Sequence, residues 1–278
     1  MRPILRVFRR AGRTWVSVIG ALLLAASIAA AVAGPAVAPG SPIAIAIPDR
    51  LEAPNARHWF GTDQYGRDVL SRTLWGGRYS IGAAFTAVML GTVVGGLLGL
   101  LGGYHGGRAD WVIMRASDVF LAFPALLLAI GVAAVLGSGM KSIVIALAIV
   151  YAPRMARVMR GAALPVRQME YIEAARSEGA GAGRILLRHV LPNCIPALIV
   201  QGSISFSQIL LAEAALSFLG LGEPPPTPTW GAMLSEGKDF LTTAPWVSIF
   251  PGLCISAAVL GLNLVGDTLR DVLDPRLS

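Results

Sequence analysis

Apolar positions along this chain gather into long unbroken runs instead of alternating with polar ones. Five runs, at about 15–34, 80–102, 114–137, 195–219 and 246–266, each supply the roughly 20 helical residues that cross a bilayer core. A sixth, from about 142 to 160, is weaker. Its apolar part, Ser142 to Ala152, meets Pro153 and then Arg154, Arg157 and Arg160. Those arginines share one helix face and can extend their heads to an interface. Counted as a span, this run gives six transmembrane helices and makes the parity of the others consistent. The expected organisation is a leader at 1–14, a first helix at 15–34 and an outer loop at 35–79. A core at 80–268 follows, with five helices and an inner segment at 161–193, and a tail at 269–278.

Patterning within the runs adds detail. In the second, Ala83, Ala87, Gly91, Gly95, Gly99 and Gly103 recur every fourth residue, a small-residue stripe that admits another helix closely. Packing inside the subunit is the preferred reading, with an interface to another subunit as the alternative. The segment at 220–245 opens with Pro224-Pro225-Pro226, which cannot sit inside a helix.

Composition excludes whole classes. Asp, Glu, Lys and Arg make up 14% of the chain against about 25% for a soluble domain. With 55% apolar residues and a mean hydropathy of +0.65, neither a soluble enzyme nor a disordered chain fits. The net charge of +7 does not point to nucleic acid, because the basic residues gather at the ends of apolar runs without interleaved aromatics. With the N-terminus inside, 16 basic residues fall on the inner side and 7 on the outer, so both termini are expected in the cytoplasm. The basic leader and Ala36-Val37-Ala38 have the shape of a secretory signal. The apolar run is longer than a signal core and further spans follow, so an uncleaved first helix is expected. Cys194 and Cys254 match no disulfide or zinc spacing and read as small buried hydrophobes.

The inner segment carries the functional argument. Glu170 to Gly179 and the stretch up to Leu191-Pro192-Asn193 read as two short helices broken at Gly179, with Pro192 at the start of the fifth span. Ala174 and Ala175 leave a shallow surface, and Glu173 offers a charge for pairing. On physical grounds this is either a docking element or a solvated loop.

The spacing Glu173-Ala174-Ala175, Gly179, His189, Leu191-Pro192 resembles the motif of permease subunits in bacterial ABC importers. His189, within Arg188-His189-Val190-Leu191-Pro192-Asn193, is similar to the dipeptide, oligopeptide and nickel subgroup, which makes it a structural marker there. Phe60-Gly61-Thr62-Asp63, Gly66-Arg67-Asp68, Ser71-Arg72, Ala122-Phe123-Pro124 and Leu216 to Gly222 resemble the C-type permease of that subgroup. So do Trp230 to Leu234, Gly266-Asp267, Leu269-Arg270-Asp271 and Asp274-Pro275-Arg276.

The resemblance implies an all-α polytopic protein of the type I ABC importer permease fold, in the bacterial cytoplasmic membrane. It has a cytoplasmic coupling helix between helices 4 and 5, in which Glu173, Ala174, Ala175 and Gly179 dock an ATPase. It implies a heterodimer with a second permease, two ATP-binding subunits and an extracytoplasmic substrate-binding protein, all within membrane lipid and without nucleic acid. ATP and magnesium belong to the partner subunits, and no cofactor or metal is expected here. The chain has no G-x-x-x-x-G-K-[ST] loop, and Gly237-Lys238 comes nearest to one. Peptides are the expected cargo; nickel chelate, haem and glutathione are the alternatives.

Charged residues inside spans are functional candidates. Glu213, after Gln208 and a run of serines, is expected either to face a water-filled pathway or to pair with a neighbouring helix. Asp118 is expected to pair with Arg115 one turn away, and the charges at 267–274 to form a C-terminal cap. A membrane enzyme would have only His58, His105 and His189 to work with, and no G-x-S-x-G or H-E-x-x-H motif. An independent secondary transporter lacks support from any visible inverted repeat.

Overall fold

The computed structural model describes residues 15–273; the leader at 1–14 and the last five residues, Asp274 among them, lie outside the described residues. The helices are α1 (Trp15–Val37), α2 (Val69–His105), α3 (Gly107–Leu121), α4 (Ala125–Leu136) and α5 (Met140–Val166). They continue with α6 (Glu170–Ser177), α7 (Ala182–Ile185), α8 (Leu191–Phe218), α9 (Trp230–Gly237) and α10 (Trp246–Leu273). A π-helical turn at Leu186–Val190 joins α7 to α8. Among the described residues five helical stretches are long and apolar enough to cross a membrane, and the bent pair α3–α4 makes a sixth if counted as one span.

The bundle is built inside out relative to a soluble protein. On α2 the glycines and alanines of the stripe are buried, while Leu90, Val93, Val94, Leu97, Leu98 and Leu101 point outward. Lipid is as apolar as leucine, so close backbone packing, and not leucine burial, holds such helices together. The stripe packs within the subunit, against α5. A Cβ added at Gly91 would lie 3.3 Å from the Ala148 carbonyl oxygen, and one at Gly103 would lie 2.9 Å from Ala163 Cβ. At Gly95 and Gly99 it would collide with the carbonyl oxygens of Ala152 and Ala156.

Two expectations need correction. The run at 114–137 is not one straight span: α3 and α4 meet at 94° around Ala122-Phe123-Pro124. Proline disfavours helical backbone in the residue before it and donates no hydrogen bond, so the helix ends there. The second span begins at Val69, not near residue 80, because Asp68 caps it by accepting from the Ser71 amide at 2.7 Å. Its first turns face protein, with Gly76 and Gly77 against Trp230, so hydropathy does not mark them. The weaker run at 142–160, counted as the fourth span, is indeed a span: α5 is a continuous 27-residue helix that includes Pro153 and Pro165.

At one end of the bundle, residues 38–68 and 219–245 fold into a cap. Trp230 is buried, its amide donating to Ser80 Oγ and its indole to the Thr73 carbonyl. Phe60 stacks on Phe250 with ring centroids 3.8 Å apart, and the Trp246 indole donates to the Thr62 carbonyl. Glu223 accepts from the Met140 amide at the start of α5. Gly231 of the cap packs against the Ala214 backbone, so the cap touches α2, α5, α8 and α10.

An ion cluster ties it to the first turn of α2. Arg67 and Arg72 both donate to Glu236, at 2.6 and 2.9 Å, and both face Asp63, at 2.5 and 3.4 Å. Arg72 and Asp63 are each only 1% exposed. Removing one member of such a buried cluster leaves uncompensated charge, which typically costs about 3–5 kcal/mol. Arg72→Ala is therefore expected to lower the thermal midpoint of the detergent-purified protein strongly, and Arg78→Ala, at an exposed neighbour, hardly at all. Equal midpoints for the two variants would refute the cluster's structural role.

Candidate functional site

At the opposite end, the chain leaves α5 through Arg167 and enters α6. Arg167 Nη1 donates to the Gly103 and Tyr104 carbonyls, at 3.0 and 3.3 Å, satisfying groups that the end of α2 leaves open. Ile172, on the inner face of α6, is fully buried among Leu100, Tyr104, Met159, Ala163, Val166, Ile185 and Val190. A charge–aromatic contact, Arg176 over the Tyr104 ring at 5.8 Å, adds a second attachment.

The outer face is open. Glu173 and Ala174 are exposed and Ala175 half-buried. Glu173 makes no hydrogen bond or ion pair among the described residues. Gly179 ends the helix with φ +81°. Its amide donates to the Arg176 carbonyl at 2.9 Å, and the Ala180 amide donates to that of Ala175 at 3.0 Å. This pairing is the Schellman closure, which favours glycine at the left-handed position. Of the four residues singled out in sequence, Glu173 and Ala174 lie on the open face, Ala175 turns partly inward onto the Ile172 cluster, and Gly179 closes the helix. Beside them a cleft of about 400 Å³ is lined by Tyr171, Ala174, Glu178, Arg184, Arg188 and His189. His189 stands 6.3 Å from the Tyr171 ring, and Asn193 donates to both the His189 carbonyl and Tyr171 Oη. In that setting Asn193 ties α6 to the start of α8, with the His189 ring beside Tyr171.

Geometrically, a short rigid helix presents a shallow acidic and alanine surface while its back is fixed to α2 and α5. It can receive a push from a partner and pass it into the bundle. Ile172 and Arg167 do this fixing, and sequence reasoning missed both; the apolar residue preceding the Glu-Ala-Ala run was the available signal for Ile172.

The candidates inside the spans fare differently. Glu213 does not face an open surface: it is wholly buried and accepts from Ser217 Oγ at 2.9 Å. Gln208, one turn away, is exposed and accepts from Arg154 Nη1 at 2.6 Å. The structure therefore separates these two residues. Asp118 accepts from Arg157 at 2.8 Å, correcting the expected pairing with Arg115, which lies over Trp111. Arg160 binds Asp110 through two nitrogens. Two of the three arginines on α5 thus pair with acids of α3 instead of extending to an interface. Among the described residues no three His, Cys, Asp or Glu side chains come close enough to hold a metal ion.

Comparison with known proteins gives consistent matches. The family model described as binding-protein-dependent transport system inner membrane component matches residues 91–278. A putative peptide transport system permease protein of Brucella suis is 42% identical over 275 residues, covering 99% of this chain and 93% of its own. A glutathione transport system permease protein of Pectobacterium atrosepticum is 50% identical over 82% of this chain and 76% of its own. A di/tripeptide transport system permease protein of Pseudomonas aeruginosa is 47% identical over 83% and 76%. Among solved structures, a chain of the MetNI methionine ABC transporter in inward facing conformations superposes with a TM-score of 0.58 at 20% identity. It covers 73% of this chain and 96% of the other, and shows the same fold.

Proposed function

The chain belongs to the family of binding-protein-dependent transport system inner membrane components, and on that premise we propose that it is one of two permeases importing peptides with ATP. The partners in this reading are a second, distinct permease, two ATP-binding subunits that carry the ATP and magnesium, and an extracytoplasmic peptide-binding protein. The observation that carries it is α6. Its free face, Glu173 and Ala174 with Ala175 beside them, seats in an ATPase, while Ile172 transmits the movement to α2 and α5. In this reading the α6 end lies in the cytoplasm and the cap with both its loops lies outside, which the excess of arginines near α6 supports.

Peptide as cargo rests on the relatives' own descriptions as peptide, di/tripeptide and glutathione permeases. Glutathione is itself a tripeptide, so these descriptions name one chemical class. In vesicles holding the complete complex, labelled dipeptide should accumulate only with ATP and the binding protein, and vanadate should stop it. Accumulation driven by a proton gradient without binding protein would establish a secondary transporter instead.

A further inference from the structure

Resting on that reading, we propose that Arg154 and Gln208 form a carboxylate-binding point midway along the translocation pathway, taking the C-terminal carboxylate of the peptide in transit. Arg154 lies on α5 about 20 Å of helix from either end. Its guanidinium is not drawn toward an interface. It donates to Gln208 Oε1 at 2.6 Å, and Gln208 sits near the middle of the apolar run at 195–219 of α8. A full charge at that depth does not face lipid unpaired; such residues mark water-filled routes or pair with another group.

Pairing within the described residues does not account for it. Asp118 is held by Arg157, Asp110 by Arg160, and Glu213 is fully buried with Ser217. The Tyr151 ring, its centroid 5.8 Å from the Arg154 guanidinium carbon, brings no negative charge. Gln208 turns its amide oxygen to Arg154, which leaves its amide hydrogens and the other guanidinium hydrogens without a partner among the described residues. Both side chains reach the surface, Gln208 exposed and Arg154 half-buried. A guanidinium with donors free and no acid to neutralise it fits a carboxylate, which it can take through two bonds. The C-terminal carboxylate is the anion that peptides share whatever their side chains. A pathway serving varied sequences gains by reading that group, and partial exposure keeps the grip weak enough for release.

The test uses the whole complex in vesicles, with Cys194→Ala and Cys254→Ala as background and Gln208→Cys as probe. Modification is timed with an anionic sulfonatoethyl and a cationic trimethylammonioethyl methanethiosulfonate, each rate referred to that with a free thiol. The anionic reagent should be favoured roughly tenfold by the local positive field, and Arg154→Gln should erase that preference. In parallel, Arg154→Gln should cut dipeptide uptake severely, with Arg154→Lys retaining part of it. No modification by either reagent would mean that the face is covered by the partner permease or lipid, and would overturn the proposal. So would modification whose charge preference survives Arg154→Gln. A wild-type complex that imports no peptide would overturn the peptide reading alone, since the thiol rates measure the anion site without cargo.

Discussion

Gly179→Pro is expected to reduce ATP-driven uptake to background in vesicles that contain normal amounts of the chain. The native position has φ +81°, whereas proline is fixed near −65° and has no amide hydrogen to give the Arg176 carbonyl. The closure of α6 is therefore lost, and the direction in which Glu173 and Ala174 are presented is lost with it. Gly179→Asn keeps the left-handed conformation accessible and should retain much of the activity. Glu173→Lys isolates docking from folding. The side chain is exposed and bonds to nothing among the described residues, so reversing its charge leaves the bundle intact. Uptake and binding-protein-stimulated ATP hydrolysis should both fall at least tenfold in that variant, a loss of roughly 1.4 kcal/mol or more in coupling. Wild-type rates in both Gly179→Pro and Glu173→Lys would dismiss α6 as the docking element.

Gly99→Val should be the most disruptive single change in the membrane. Its first added carbon already collides with the Ala156 carbonyl oxygen, and backbone cannot move aside as a flexible side chain would. Overpacking of this kind costs about 1–3 kcal/mol and sometimes more. Here it pushes α2 away from α5 along a contact that also includes Gly95 and Gly103. The purified variant should lose thermal stability and fail to copurify with its partner subunits. Gly82→Val, at a position with open space around it, is the matched control and should change neither. If the two variants melt alike, the stripe does not hold the helices together.

These cases show what the sequence makes legible. The stripe could be read because a four-residue recurrence of small side chains has one geometric meaning, one helix face. The Glu-Ala-Ala element could be read because its spacing is local and closed by a glycine. The bend between α3 and α4 was hidden, since an apolar run scores the same whether its helix continues or turns. Pro124, and the charges at Arg108, Asp110, Arg115 and Asp118 just before it, were the only local signs. The start of α2 escaped notice because its first turns pack on Trp230, and hydropathy measures exposure to lipid. Pairs such as Arg157 with Asp118 and Arg72 with Glu236 join residues 39 and 164 positions apart, a relation that only the fold supplies. Arg154 was grouped with its neighbours by spacing, yet its partner on α8 separates it from them.

The cap has a mechanical consequence. It holds α2, α5, α8 and α10 at one end, whereas α6 engages α2 and α5 at the other. Because the stripe makes α2 and α5 a single stiff beam, a push on α6 cannot be absorbed by sliding between them. Under the proposed docking at α6 the beam would turn as a lever with its fulcrum at the cap, and the displacement of each point would grow with its distance from that fulcrum. Opening would then be widest at the end where the partner pushes and least beneath the cap, with Arg154 about halfway along the arm.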